Sequence, residues 1–323
     1  MEKSINNEKQ MKKVIFIDSV HPILAEKLEN AGYECDWKTE LKREEILPLL
    51  KDYEGAVIRS KFKFDAAVFE AAPKLKWIAR SGAGMENIDR ELAEQKGIQC
   101  FNSPEGNRDA VAEHALGMLL SLFNNLNRAD QEVREGQWNR EKNRGIELKG
   151  KTVGILGYGF MGQAFAERLQ GFGVKVIAYD KYKSDFSSKL VQEVNLETFF
   201  AETEILSIHL PQTEETTFMI NEKFLNQFAN PLFVLNTARG KNVNTAELVS
   251  ALKSGKVRGA CLDVLEYEKL SFESLKAEEL PEAFQYLRKA ENVILSPHVA
   301  GWTKESYVKL SEILAEKILK FVS

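Results

Sequence analysis

Residues 148–180 read LKGKTVGILGYGFMGQAFAERLQGFGVKVIAYD. A short aliphatic run, TVGIL (152–156), leads into GYGFMG, which sets Gly157, Gly159 and Gly162 in a G-x-G-x-x-G pattern. QAFAERLQGFG continues with helical spacing, and KVIAYD (175–180) closes the stretch as a second β-branched run. Strand, glycine turn, helix and strand make one βαβ unit, and that order matters more than the glycines alone. The turn lets backbone N–H groups at a helix N-terminus, those of Phe160 and Met161 included, face a pyrophosphate. Asp180 lies 18 residues beyond Gly162. A carboxylate there accepts from both hydroxyls of an adenine ribose and repels a 2′-phosphate, so NAD is expected over NADP. Lys181 and Lys183 leave room for some tolerance of NADP.

Working outward, the same alternation continues. ILSIHL (205–210), LFVLNT (232–237), GACLDV (259–264) and NVILSP (292–297) follow as four more strands, six in all from residue 152, which suits a doubly wound sheet. Upstream, VIFID (14–18), GAVIRS (55–60), LKWIAR (75–80) and IQCFNSP (98–104) read as strands, with short helices between them such as 22–31. The fold class is α/β, with parallel sheets. From 109 to 136 the chain has no proline and runs from apolar to charged, which predicts one long helix or two abutting ones. A helix apolar over its first half packs between domains or subunits, so a boundary is expected at 102–107, and dimerisation is a weaker inference. The 27-residue stretch 265–291 is rich in Glu and Lys, with helical patterning in ESLKAEEL and EAFQYLRKA. A last amphipathic helix over 304–322 is read as crossing back to the first domain.

Composition narrows the class. At 323 residues and 36.6 kDa, with 44% hydrophobic and 28% charged residues, the chain has material for two cores. The net charge of −4 is spread along the sequence, which leaves no basic surface for a duplex, and nucleic acid is not an expected partner. Three separated cysteines, Cys35, Cys100 and Cys261, imply neither a disulfide framework nor a zinc site. The first 13 residues are polar, and no run approaches the roughly 18 apolar residues that span a bilayer. The expectation is a cytoplasmic protein with no membrane partner and no metal.

Ligands of doubly wound sheets bind beyond the carboxyl ends of the strands, so polar residues just after strands carry most weight. These are Arg239 after LFVLNTA, Asp263 and Glu268 at and after GACLDV, His298 after NVILSP, and His209 near the end of ILSIHL. In a parallel sheet they share the rim that bears the glycine loop.

At these residues the chain resembles the D-isomer-specific 2-hydroxyacid dehydrogenases. The likeness rests on VIRS (57–60), ARSGAGMENID (79–89), NSPEGN (102–107), VAEHALGMLL (111–120), LKGKTVGILGYGFMG (148–162), HLPQTEET (209–216), LNTARG (235–240), LDVLEYE (262–268) and SPHVAGWT (296–303). It covers roughly residues 13–320. It implies two doubly wound parallel-sheet domains, the larger a Rossmann NAD-binding domain (107–298) inserted into a flavodoxin-like substrate domain (1–106 and 299–323). It also implies an NAD-dependent oxidoreductase that moves a hydride between nicotinamide and C2 of a D-2-hydroxy acid or 2-oxoacid.

The resemblance assigns roles that the chemistry requires. Arg239 would hold the substrate carboxylate and polarise the C2 carbonyl. His298 would be the acid/base at the C2 oxygen. Glu268 would orient that imidazole and, as a nearby negative charge, favour its protonated form. Asp263 is implied as a contact of the nicotinamide carboxamide, and His209, Leu210, Pro211, Thr237 and Ala238 as lining the cofactor. The backbone of Ser81, Gly82 and Ala83 would meet the substrate carboxylate, with Arg59 and Ser60 nearby. Arginines at 59, 80 and 140 match phosphoglycerate-type relatives and point to a 3-phosphoglycerate-like substrate. The chain departs from the family pattern at Lys269, where relatives carry a proline after the catalytic carboxylate, which leaves Glu266 as the alternative to Glu268. The regulatory domain of some phosphoglycerate enzymes is not expected. An NADH-sensing binding protein or corepressor on the same scaffold is the rival reading, and phosphonate or formate oxidation a further one.

Overall fold

Parallel sheets organise both halves of the chain in the computed structural model, which describes residues 12–268 and 281–323. The smaller unit takes the described residues up to Asn107 together with Lys304–Ser323, and the larger runs from Arg108 to Thr303.

In the smaller unit the strands are β1 (Lys12–Phe16), β2 (Tyr33–Trp37), β3 (Gly55–Ile58), β4 (Trp77–Arg80) and β5 (Gln99–Asn102), in the order β2-β1-β3-β4-β5. Alternate residues of β1 feed opposite faces: Ile15 packs with Ile46, Leu50 and Ile78, while Val14 and Phe16 pack with Leu24, Trp77 and Leu314. Leu314, Ala315 and Ile318 belong to the helix Lys304–Val322, which therefore completes this core.

The larger unit holds β6 (Thr152–Leu156), β7 (Lys175–Tyr179), β8 (Gln192–Glu193), β9 (Ile205–Ile208), β10 (Leu232–Asn236), β11 (Val257–Leu262) and β12 (Val293–Leu295). Their order is β12-β11-β10-β9-β6-β7-β8, all parallel. The chain winds from β6 to β7 and β8 on one side, then returns to β9 on the other, so β6 and β9 flank the switch point.

Three sequence expectations need correction. Seven strands stand in the larger sheet where six were expected, because β8 is a two-residue edge strand too short to show a pattern. In the smaller sheet β2, sequence YECDW, was not anticipated; it is an edge strand whose polar positions break the aliphatic pattern of its neighbours. Two abutting helices, one of the two arrangements expected for 109–136, form as Pro104–Phe123 and Leu126–Arg134; what needs correction is the start of the first, five residues earlier than expected, with proline at its first position. Asn125, at φ +54, separates them. Of the two helical patterns in 265–291, ESLKAEEL lies outside the described residues and EAFQYLRKA forms the helix Glu282–Leu287.

Candidate active site

The glycine loop follows β6 at the switch point. Gly157 takes φ +91, and its N–H donates to the Tyr179 carbonyl at 2.9 Å, which joins the loop to the end of β7. The helix Phe160–Arg168 starts directly after Gly159. A Cβ on Gly162 would lie 2.3 Å from the Gly157 carbonyl oxygen, so only glycine lets the first helical turn sit this close to the strand end. A Cβ on Gly159 would meet nothing within 4 Å. The loop thus keeps open space beside Gly159 at the start of the helix, with Phe160 exposed and Met161 half-buried next to it.

Asp180 is drawn onto this loop. Its Oδ2 accepts from the Tyr158 N–H at 2.8 Å, and its Oδ1 accepts from the N–H groups of Tyr182 (2.9 Å) and Lys183 (3.1 Å). A carboxylate has about four acceptor positions, so roughly one remains for a ribose hydroxyl. The two lysines are engaged as well: Lys183 Nζ donates to the Tyr158 carbonyl at 3.2 Å, and Lys181 pairs with Glu215. Glu215 also accepts from the Tyr182 hydroxyl at 2.7 Å.

Across the switch point, His209 turns its imidazole inward. Nε2 lies 2.8 Å from the Ser207 hydroxyl and the ring is 5.6 Å from that of Phe165. Burial pushes its pKa down to about 4, so the ring is neutral. What His209 presents toward Gly157 is its carbonyl, 2.8 Å from where a Cβ would stand. Leu210 Cδ2 lies 3.1 Å from the same point, and the Pro211 carbonyl accepts from Thr216 Oγ1 (2.7 Å) and Asn242 Nδ2 (3.2 Å).

Beyond β10 the turn bearing Arg239 is shaped by Asn236, which is fully buried. Its Oδ1 accepts from the Ala238 N–H and its Nδ2 donates to the Arg239 carbonyl, both at 3.0 Å. Arg239 Nη1 donates to the Ala238 carbonyl at 2.8 Å. Thr237 Oγ1 is buried with no hydrogen-bond partner among the described residues, an orphan that a bound molecule would satisfy. A Cβ on Gly240 would fall 2.0 Å from the Leu265 carbonyl carbon, so glycine lets this turn touch the segment after β11. Asn236 and Gly240 belong to the LNTARG motif, in which sequence reasoning weighed Thr237, Ala238 and Arg239.

That segment carries Glu268, whose Oε1 accepts from the Leu265 N–H and whose own N–H donates to the Leu265 carbonyl at 3.2 Å. The tight turn aims Oε2 at His298 Nδ1, 2.5 Å away, the short separation of a charge-assisted hydrogen bond. Glu266, the alternative carboxylate, instead accepts from the Thr245 N–H at 3.0 Å, at the start of the helix Thr245–Ser254. Lys269 lies outside the described residues.

Asp263 is 1% exposed and joins the rim together. Its N–H donates to the Asn236 carbonyl at 3.0 Å and its carbonyl accepts from the His298 N–H at 2.7 Å. Its carboxylate accepts from Ser296 Oγ and from the N–H groups of Val299 and Ala300. The ends of β10, β11 and β12, three neighbouring strands, therefore carry Arg239, Asp263 with Glu268, and His298.

In the smaller unit the Arg59 N–H donates to Asp18 Oδ2 at 2.5 Å, and the Arg59 carbonyl accepts from Asn87 Nδ2 at 3.1 Å. Burial lowers the Arg59 pKa from its ordinary value, opposed by Asp18 and Tyr307. Ser60 follows in the same turn. The Ser81 N–H donates to the Ile58 carbonyl at 2.8 Å. Gly82, at φ +147, lies against the Arg80 guanidinium, and the Ala83 carbonyl accepts from Asn102 Nδ2 at 2.6 Å. Arg140 is an exposed residue of the larger unit, so the three arginines do not share one unit. Asp18 escaped sequence reasoning, although it ends VIFID and follows the strand-end rule applied to the larger sheet.

Comparison with known proteins agrees with these features. Residues 116–300 match the family model described as D-isomer specific 2-hydroxyacid dehydrogenase, NAD binding domain. The chain is 37% identical over 309 residues to D-3-phosphoglycerate dehydrogenase of Archaeoglobus fulgidus, covering 95% of this chain and 56% of that protein. It is 36% identical over 280 residues to hydroxypyruvate reductase of Thermotoga maritima, covering 87% and 88%. The solved structure of D-2-hydroxyisocaproate dehydrogenase superposes with a TM-score of 0.82 at 30% identity, covering 97% of each chain. The chain spans little more than half the length of the phosphoglycerate dehydrogenases it matches.

Proposed function

Because the chain belongs to the D-isomer-specific 2-hydroxyacid dehydrogenase family, we propose that it reduces a 2-oxoacid to the D-2-hydroxy acid, and catalyses the reverse, with NAD(H). The observation that carries this reading is the 2.5 Å contact between His298 Nδ1 and Glu268 on the rim shared with Arg239. A proton on Nδ1 directed at the carboxylate makes Nε2 the nitrogen that exchanges a proton with substrate. Arg239 offers a planar set of donors that pairs with the substrate carboxylate and draws charge toward the C2 oxygen. When bound, NADH supplies the hydride to C2. His298 supplies the proton to the oxygen, so the C=O becomes CH–OH and the imidazole is left neutral; oxidation runs the same steps backward.

The open space before Gly159, the orphaned Thr237 hydroxyl and the Asp180 carboxylate fit a dinucleotide. NAD is favoured over NADP because the Asp180 carboxylate is aimed at the loop, where it would repel a 2′-phosphate; of the nearby lysines, Lys181 pairs with Glu215 and Lys183 is tied to the Tyr158 carbonyl of the loop. The larger unit is the cofactor domain and the smaller the substrate domain, where the Ser81–Gly82–Ala83 backbone takes the acid and Arg59, with Ser60 nearby, is the candidate for a phosphate. Similarity to both phosphoglycerate dehydrogenase and hydroxypyruvate reductase supports a three-carbon acid, with or without phosphate, as the substrate. A homodimer is the expected assembly, since Leu126, Val133, Trp138 and Ile146 are exposed apolar side chains near one another in sequence. A cytoplasmic location accords with three separated thiols.

The test is loss of NADH absorbance with hydroxypyruvate, phosphohydroxypyruvate, glyoxylate, pyruvate and 2-oxoglutarate. Turnover with one of the first two is expected. Tight NADH binding without turnover of any of them would overturn the reading in favour of an NADH-sensing protein.

A further inference from the structure

His298 takes φ +56, a left-handed backbone that is uncommon for a residue with a side chain. Something must hold it there, and Asp263 supplies three backbone anchors. Its carbonyl accepts from the His298 N–H at 2.7 Å, its Oδ1 from the Val299 N–H at 2.9 Å, and its Oδ2 from the Ala300 N–H at 2.9 Å. On the other side of His298, Ser296 Oγ donates to Asp263 Oδ1 at 2.6 Å. One buried carboxylate thus ties the chain on both sides of the histidine.

The serine has a single hydroxyl proton, and the carboxylate takes it. The remaining polar neighbour of Ser296 Oγ is His114 Nε2 at 2.9 Å, from the helix Pro104–Phe123, so Nε2 must be the donor. Proton donation then runs from His114 Nε2–H to Ser296 Oγ at 2.9 Å and from Ser296 O–H to Asp263 at 2.6 Å, with Nε2 itself 3.5 Å from Asp263 Oδ1, the longer and weaker of the two routes. Met118, one turn further along that helix, offers only a weak thioether acceptor 3.6 Å from the hydroxyl. Without the imidazole the hydroxyl is free to turn toward that sulfur, and Asp263 loses its shortest donor. Glu268 is held separately, by its own turn with Leu265, so the same change moves His298 relative to its carboxylate partner.

We propose that His114 is a positioning residue for His298, acting through the Ser296 hydroxyl and the Asp263 carboxylate. The proposal rests on the proton-transfer role given to His298 above. It assigns His114 a fixed tautomer and a specific hydrogen bond, where simple packing would require only bulk.

The test compares His114→Leu, His114→Gln, Ser296→Ala and the double variant His114→Leu/Ser296→Ala. Leucine keeps bulk without a donor, and glutamine keeps an N–H donor. Expected is a fall in kcat of about tenfold for His114→Leu and for Ser296→Ala, since small misplacements of reacting groups cost this much or more. The double variant should fall no further, because both changes break one chain of bonds. His114→Gln should stay within about twofold of the parent, with KM for the oxoacid and NADH affinity little changed throughout. Ser296→Ala removes one oxygen and carries the test if His114→Leu does not fold. Nitrogen-15 spectra of the four imidazoles provide a readout without turnover: His114 should be the Nε2–H tautomer, and the His298 signals should move in His114→Leu and Ser296→Ala but not in His114→Gln. Full kcat in His114→Leu, an equal loss in His114→Gln, additive losses in the double variant, or an Nδ1–H tautomer at His114 would each overturn the proposal. If the parent protein turns over no 2-oxoacid, the dehydrogenase reading fails on its own, and the spectra still decide the positioning of His298.

Discussion

The two sheets share one topological device and use it differently. In the larger unit the switch point between β6 and β9 opens onto a glycine loop in which Asp180 takes only the Tyr158 N–H and the space beside Gly159, at the start of the helix, stays open. In the smaller unit the switch point lies between β1 and β3, and there the Asp18 carboxylate already accepts from the N–H groups of Arg59 (2.5 Å) and Lys61 (3.3 Å). Amides at a switch point bind an anion only if no internal carboxylate has taken them first. Parallel topology therefore sets where a ligand belongs, and local residue choice decides which sheet offers the donors and which offers charged side chains.

Changes on the larger rim should strike the chemistry itself. His298→Ala removes the proton donor, so kcat should fall by about a thousandfold while NADH affinity stays near that of the parent, as general acid–base groups contribute on this scale. Turnover within tenfold of the parent would remove His298 from the reaction. Next in size is Gly162→Val. Its Cβ would stand 2.3 Å from the Gly157 carbonyl oxygen, and overpacking of this kind costs about 1–3 kcal/mol, so NADH affinity should weaken roughly 10–100-fold by fluorescence titration. Asp18→Asn at the other switch point should leave NADH affinity unchanged. Equal losses in both variants would erase the distinction drawn between the two sheets.

A smaller effect is expected from Arg59→Gln. Loss of one charge-assisted contact should raise KM for phosphohydroxypyruvate about tenfold relative to hydroxypyruvate, with kcat on hydroxypyruvate preserved. A proportional loss on both substrates would show that Arg59 does not read a phosphate.

Much of this contrast was legible in the sequence, for reasons that can be named. The strand TVGIL, the glycine turn and the strand ending in Asp180 are local and consecutive, so spacing alone predicts their arrangement. The residues at the ends of β10, β11 and β12 follow from the strand-end rule, and the Glu268 contact with His298 is the pairing that the family resemblance implies. Edge strands escaped because β2 is polar and β8 has two residues, so neither shows the hydrophobic run that marks a buried strand. Two abutting helices were one of the readings of 109–136, but the place of the break, Asn125, was not legible because a single left-handed residue leaves no period to detect. His114 and Ser296 stand 182 positions apart, and their hydrogen bond depends on how a helix packs against a strand end. Choosing between Glu266 and Glu268 needed the turn at Leu265, whose backbone bonds send the two side chains to different partners.

The smallest effect concerns stability at the larger switch point. His209 holds its imidazole neutral, with a pKa of about 4 against 6.5 for the free side chain. Between these values the unfolded chain takes a proton that the folded chain refuses, so folding stability is complete above about pH 6.5 and is lost progressively as the pH falls toward 4. The loss from this one group is at most about 3 kcal/mol, the free energy equivalent of that difference. His209→Gln keeps a partner for Ser207 but does not titrate, so denaturation midpoints should fall less steeply between pH 6.5 and 4 than in the parent. An unchanged slope would mean that His209 protonates in place, without opening the contact between β9 and the helix that carries the glycine loop. Because the His209 carbonyl packs against Gly157, NADH affinity should weaken in the parent over the same pH range and do so less in the glutamine variant.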